Sequence, residues 1–174
     1  GAAFKPNDTW TFAADYQRIN YGDVKSIANP STNGGALIGP TAGAFNPAWA
    51  NTGTLGCDDC RGFGWSSINV IKLGAEYKYN NDLTLRAGYN HAENPVKSRD
   101  VTFNILAPAV VQDHYTLGLT YSLSKDSEVT MAYMHAAKKS VSGTSLFGTW
   151  LTAGGTEKIE MYENSLGIAY GVKF

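Results

Sequence analysis

Hydrophobic and polar residues alternate one by one through most of this chain. From 71 to 79, Ile71, Leu73, Ala75, Tyr77 and Tyr79 share one face, and Lys72, Gly74, Glu76 and Lys78 share the other. From 83 to 91, Leu83, Leu85, Ala87 and Tyr89 oppose Thr84, Arg86, Gly88 and Asn90. Tyr115, Leu117, Leu119, Tyr121 and Leu123 oppose His114, Thr116, Gly118, Thr120 and Ser122. The same zigzag runs through Val129, Met131 and Tyr133; through Leu166, Ile168, Tyr170, Val172 and Phe174; and through Trp10, Phe12, Ala14 and Tyr16. A period of two predicts β-strands with one apolar face. Six strands follow, each near the 9–11 residues that cross a bilayer at a tilt, and Gly1 to Phe4 reads as the end of a seventh.

The strands repeat as hairpins. Leu-Gly-x-x-Tyr recurs at Leu73, Leu117 and Leu166, spaced 44 and 49 residues apart. The alternate strands each follow an Asp-containing turn, at Asp8, Asp82 and Asp126. Connections of three or four residues (5–8, 80–82, 124–127), rich in Asn, Asp, Ser and Lys, alternate strictly with long ones at roughly 22–67, 92–112 and 138–159. Short periplasmic turns and long outer loops are the habit of outer-membrane barrels. With the short turns inside, the final strand ends in the periplasm.

Composition supports lipid as the neighbour of the apolar face. Charged residues are 17% of 174 and net charge is −1, where a soluble domain carries about 25% charged residues. Nothing basic enough to hold nucleic acid is present. No run approaches the ~18 apolar residues of a membrane helix, a test blind to barrels. Tyr and Trp recur near strand ends, as interfacial girdles require. The polar face would carry Asp15, Lys72, Glu76, Arg86, His114 and Glu128, which a hydrated lumen tolerates and a dry core does not. The expected fold is therefore all-β: a transmembrane antiparallel up-and-down barrel, here about six to seven strands. Lipid requires closure, and eight strands is about the minimum, so these strands are expected to be part of a larger barrel.

Several segments resemble the long-chain fatty acid transporter (FadL-like) family. They are Gly1-Ala2-Ala3-Phe4-Lys5-Pro6-Asn7-Asp8-Thr9-Trp10-Thr11 with Asp15-Tyr16; Lys72-Leu73-Gly74-Ala75-Glu76-Tyr77; Leu83-Thr84-Leu85-Arg86-Ala87-Gly88-Tyr89-Asn90 with Asn94-Pro95-Val96; and Asn104-Ile105-Leu106-Ala107-Pro108-Ala109-Val110-Val111 with His114-Tyr115-Thr116-Leu117-Gly118. The resemblance covers nearly the whole chain and is weakest over 25–60 and 139–160. It implies a monomeric fourteen-stranded barrel that takes up fatty acids or aromatic hydrocarbons, with an N-terminal hatch upstream of Gly1, so that residues 1–174 supply the C-terminal portion. Tyr170, Val172 and Phe174 resemble the C-terminal signal by which such barrels engage the assembly machinery.

Candidate chemistry is sparse. Lumen-facing Asp15, Lys72, Glu76, Arg86 and His114 either form a structural polar network or, through Lys72 or Arg86, meet a carboxylate head group. Cys57-Asp58-Asp59-Cys60 lacks the βαβ setting of a redox pair and the further ligands of a zinc site. A local disulfide in an oxidising loop is expected, with metal or free thiols as alternatives. No Gly-x-Ser-x-Gly occurs, no catalytic constellation is expected, and no cofactor or metal is implied. The loop from Ala36 to Trp65, with Phe45, Trp49, Phe63 and Trp65, either hands an apolar ligand inward or packs on itself. The leading reading is passive uptake of hydrophobic small molecules across the outer membrane, with outer-membrane lipid as the surrounding partner. A general diffusion pore, a structural barrel and a soluble lipid-binding barrel are the alternatives. The last requires Leu73, Leu85, Leu117 and Leu119 to point into a dry interior.

Overall fold

The computed structural model describes residues 1–33, 57–147 and 155–173. They form one antiparallel sheet of seven strands in chain order: β1 (Ala2–Phe4), β2 (Trp10–Ile19), β3 (Ile68–Lys78), β4 (Leu83–Ala92), β5 (Asp113–Ser122), β6 (Ser127–Thr144) and β7 (Thr156–Val172). Each strand pairs with its sequence neighbours alone, so among the described residues β1 and β7 are open edges.

Register keeps the two faces apart over the whole width. Trp10, Tyr77, Leu85, Leu119, Met131 and Ile168 form one continuous cross-strand row from β2 to β7. One step along, Thr11, Glu76, Arg86, Gly118, Ala132 and Gly167 form another. Because side chains alternate, a one-residue slip would send every apolar residue to the wrong side.

The short turns pin that register. Asn7 Oδ1 accepts from the backbone N–H of Thr9 and Trp10, both at 2.9 Å. Asn80 Oδ1 does the same for Asp82 (2.9 Å) and Leu83 (2.7 Å). Ser124 Oγ accepts from Asp126 N–H at 3.2 Å. These are side-chain-closed turns. Asn7, Asn80 and Ser124 accept the turn-closing bonds, whereas the repeated aspartates draw the eye in the sequence.

The apolar face carries no core. Leu73 is 51% exposed, Leu117 63%, Leu166 66% and Ile168 67%. The dry cluster of Val96, Val101, Val110 and Ile159 lies instead at the long-connection end of the sheet, packed with Trp65, Val141 and Met161. It belongs to the polar side of the sheet. Buried Ile68 and Val70 share the face of Lys72, and buried Ala136 shares that of Thr130. The long connections therefore fold inward over the polar face. Each fully buried Val contributes about 1.5–3 kcal/mol relative to exposure.

The connection 93–112 carries a 3-10 turn (Ser98–Asp100) and a helical turn, α2 (Val101–Asn104). In the connection 20–67, Tyr21–Asp23 and α1 (Lys25–Ala28) are short helical turns. The third boundary needs correction. Residues 138–159, expected as loop, are strand at both ends, since β6 runs on to Thr144 and β7 starts at Thr156. A bulge between Ala136 and Lys139 breaks the period of two there.

Candidate functional site: the polar wall and its outer mouth

All the polar residues singled out in the sequence fall on one face, in two groups. The upper group is the cross-strand row Asp15, Lys72, Asn90, His114, Ala136 and Glu163. Asn90 Nδ2 lies 3.2 Å from His114 Nδ1. Among the described residues Lys72 makes no ion pair, although Asp15 and Asn90 flank it in register.

The lower group is a linked chain. Arg86 Nε donates to Glu76 Oε2 at 2.8 Å, Arg86 Nη1 donates to Thr120 Oγ1 at 2.7 Å, and Thr120 and Thr130 share a hydroxyl bond of 3.0 Å. The structure thus joins Glu76 to Arg86 and leaves Lys72 apart. With Arg86 46% and Glu76 32% exposed, the pair is wet and contributes at most about 1 kcal/mol. Glu128 sits at the short-turn end of the same face, opposite Ser122 and Gly171.

Sequence reasoning missed the mouth. Asp100 is fully buried at the end of its 3-10 turn. Its Oδ1 accepts from Ser31 N–H and Ser31 Oγ, both at 2.8 Å, and Arg99 Nη2 donates to its Oδ2 at 2.8 Å. Gly64 has φ +67, and a Cβ there would come within 1.9 Å of that carboxylate, so both backbone and space demand glycine. Asn104 Nδ2 donates to the carbonyls of Phe63 and Asp100 at 2.8 Å, and its Oδ1 accepts from Trp65 Nε1 at 2.5 Å. Thr102 Oγ1 donates to Glu157 and accepts from Leu146 N–H at 2.9 Å. Arg61, also buried, donates to the carbonyl of Ser31 and lies over the Phe103 ring. Burial pushes its guanidinium below the ordinary arginine range. All three long connections are therefore fastened to one another. The pattern left no signal in the sequence, because the bonds that tie one connection to another join residues 30 to 69 positions apart.

Cys57 and Cys60 form a disulfide, and the carbonyl of Cys60 accepts from Asn29 Nδ2 at 2.9 Å and Asn33 Nδ2 at 3.1 Å. Of the apolar loop residues, Phe63 and Trp65 pack on one another, Trp65 against Tyr21 and Phe63 against Phe103. Phe45 and Trp49 lie outside the described residues. Tyr170 and Val172 lie on the apolar face of β7, while Phe174 is outside the described residues.

The apolar face is bounded by aromatic residues at both ends. Trp10, Tyr77, Tyr79, Tyr121 and Tyr170 lie toward the short turns. Toward the long connections the tyrosine hydroxyls are anchored: Tyr16 to Asn69 (2.8 Å), Tyr89 to Asp113 (2.7 Å) and Tyr133 to Asn164 (2.7 Å). An amphipathic ring with an apolar body and a bonded hydroxyl suits a membrane interface.

An antiparallel sheet that is apolar and bare on one face, polar on the other and capped by loops folded over that polar face is the wall of an outer-membrane β-barrel. Residues 1–173 match the family of outer membrane transport proteins described as OMPP1/FadL/TodX, and the chain belongs to that family. Its fold matches the deltaS2S3 mutant of the TodX monoaromatic hydrocarbon channel at 25% identity and TM-score 0.56, covering 99% of this chain and 34% of that one. The deltaS2 mutant of the same channel gives 24% identity, TM-score 0.55 and the same coverage. A Pseudomonas aeruginosa FadL homologue gives 13% identity and TM-score 0.55, covering 98% of this chain and 34% of that one. The chain thus spans about a third of the length of these solved structures. No curated protein matches it in sequence.

Proposed function

We propose that these strands form an arc of the wall, and the loops part of the outer mouth, of a channel for passive uptake of hydrophobic small molecules across the bacterial outer membrane. The observation that carries this reading is the inward fold of the long connections. They build an apolar cluster, with Trp65 and Val110, above a polar wall, so that an apolar ligand meets greasy surface at the mouth and water-lined wall below. In this orientation the short turns and the C-terminal end of β7 face the periplasm, and Tyr170, Val172 and Phe174 serve insertion by the assembly machinery. The whole barrel acts as a monomer.

Lys72 is the residue through which a ligand with a carboxylate head group is told from a plain hydrocarbon. On this face Arg86 is engaged by Glu76 and Thr120, whereas Lys72 and Lys78 form no ion pair among the described residues, and of those two Lys72 stands nearer the long connections while Lys78 lies at the short-turn end. The exposed leucines of the other face, in a chain of an outer-membrane transport family, weigh against the soluble lipid-binding barrel.

The test uses the full-length barrel that contains these residues, reconstituted in vesicles. Uptake of toluene and of a long-chain fatty acid is measured beside uptake of a small sugar. Lys72→Gln is expected to slow fatty acid uptake about tenfold, the loss of one charge-assisted bond, and to leave toluene uptake unchanged. Sugar permeation as fast as toluene permeation would replace this reading with a general pore. Membrane-impermeant maleimide on intact cells should label Lys97→Cys in a long connection and not Asp126→Cys in a short turn.

A further inference from the structure

We propose that the outward face of the β6–β7 extension is a docking site for the phosphate group of a phosphorylated lipid in the outer leaflet, with Lys138 and Lys158 as its cations. The proposal rests on the orientation argued above.

The face assignment comes from packing. Ile159 is buried in the mouth cluster and Met161 packs against it, so both point inward. Strand alternation then turns Lys158, Glu160 and Tyr162 outward. Glu160 lies between the two lysines: Lys138 Nζ is 2.5 Å from its Oε1, and Lys158 Nζ is 2.6 Å from its Oε2. Opposite them in register, Ser140 faces Glu160 and Ser142 faces Lys158. Two ammonium groups against one carboxylate leave a net positive charge, with ammonium protons and two hydroxyls still available. That set of donors matches the several acceptor oxygens of a phosphate.

Height selects lipid as the source of that phosphate. Glu160 stands ten residues from Tyr170 on the same outward face. At about 3.3 Å per residue and a tilt of about 40°, this is roughly 25 Å along the membrane normal. The apolar band of an outer-membrane barrel is about 25 Å tall. The lysines therefore stand where the head groups begin, one step beyond Tyr162, which is exposed on the same face. The bulge at 136–139 places Lys138 on this side: Ala137 and Lys138 on β6 oppose the single Tyr162 on β7. Charge opposite to the leaflet surface and continuity with the acyl-facing wall both point to a lipid head group.

The test is native mass spectrometry of the full-length barrel in detergent doped with diphosphoryl lipid A. Wild type is expected to retain the lipid as a one-to-one adduct. Lys138→Gln with Lys158→Gln is expected to cut retention about tenfold, while the Lys→Arg pair keeps it. Glu160→Gln, which removes the opposing charge, is expected to raise retention. Lys97→Gln, on a different loop, is expected to leave it unchanged. Equal retention of dephosphorylated lipid A, full retention by the Lys→Gln pair, or a fall with Glu160→Gln would each overturn the site. Displacement by millimolar inorganic phosphate alone would overturn the lipid as its source. Maleimide labelling of Ser142→Cys on intact cells separates the causes. Labelling with no lipid retained sinks the site alone, and absence of labelling sinks the orientation with it.

Discussion

Leu117 stands 63% exposed on a face shared with Leu85, Tyr133 and Leu166. In water, such a leucine exchanged for arginine changes stability little. In lipid the same change costs about 2–4 kcal/mol near the bilayer midplane. Leu117→Arg in the full-length barrel is therefore expected to lower the free energy of folding into vesicles by that amount, read by denaturant titration. Thr116→Gln, one position along and on the opposite face, is expected to stay within about 0.5 kcal/mol. Equal effects at the two positions would remove the assignment of faces.

At the scale of elements, the mouth is held by hydrogen bonds to a few buried groups. Asp100→Asn keeps the size of the side chain and replaces one acceptor oxygen with a donor. The donors of Ser31 and Arg99 then face an NH₂ group or a weaker oxygen. Leaving such buried groups unsatisfied costs about 1–3 kcal/mol. The loss is expected to stay local: hydrogen exchange should quicken over 26–33 and 60–66 while β3 to β6 remain protected. Glu93, just past β4, gives a pH dependence. The backbone N–H of Asn69 donates to its Oε2 at 2.8 Å and the Asn69 side-chain amide at 3.0 Å, and these bonds hold its carboxyl below the ordinary glutamate range. A depressed folded pKa stabilises the fold above the unfolded value, about 4.3, and the gain vanishes as pH falls through the folded one. The Tm difference between wild type and Glu93→Gln should be present at pH 7 and shrink as pH falls below the ordinary glutamate value. A difference that does not change with pH would mean that the bonds matter through shape alone.

For the whole molecule the open edges decide. In lipid each unpaired backbone group costs several kcal/mol. Among the described residues the 17-residue β7 has a partner on one side alone. Residues 1–174 expressed by themselves are expected to fail to insert as a closed barrel, giving no heat-modifiable band in detergent. A compact, protease-resistant monomer of these residues would contradict the reading of the sheet as an arc. The mouth draws on the same arc, since the buried residues Ile68, Val70, Ala136 and Ile159 come from strands β3, β6 and β7.

The order of hairpins, the two faces and the alternation of short turns with long connections were all legible in the sequence. Period two is a local property, and lipid on one side with water on the other enforces it residue by residue. Asp15, Lys72, Glu76, Arg86 and His114 were placed on their face by that parity alone. Outside the bilayer this constraint lapses. Beyond Ala136 and before Asn164 both strand faces carry polar residues and a bulge shifts the parity, so the ends of β6 and β7 read as loop until pairing fixed them. The partners of Arg86, the absence of an ion pair at Lys72 among the described residues and the fastening of Asp100, Asn104 and Thr102 were decided only in three dimensions. Each depends on which distant residue arrives opposite, and a one-dimensional period carries no information about that.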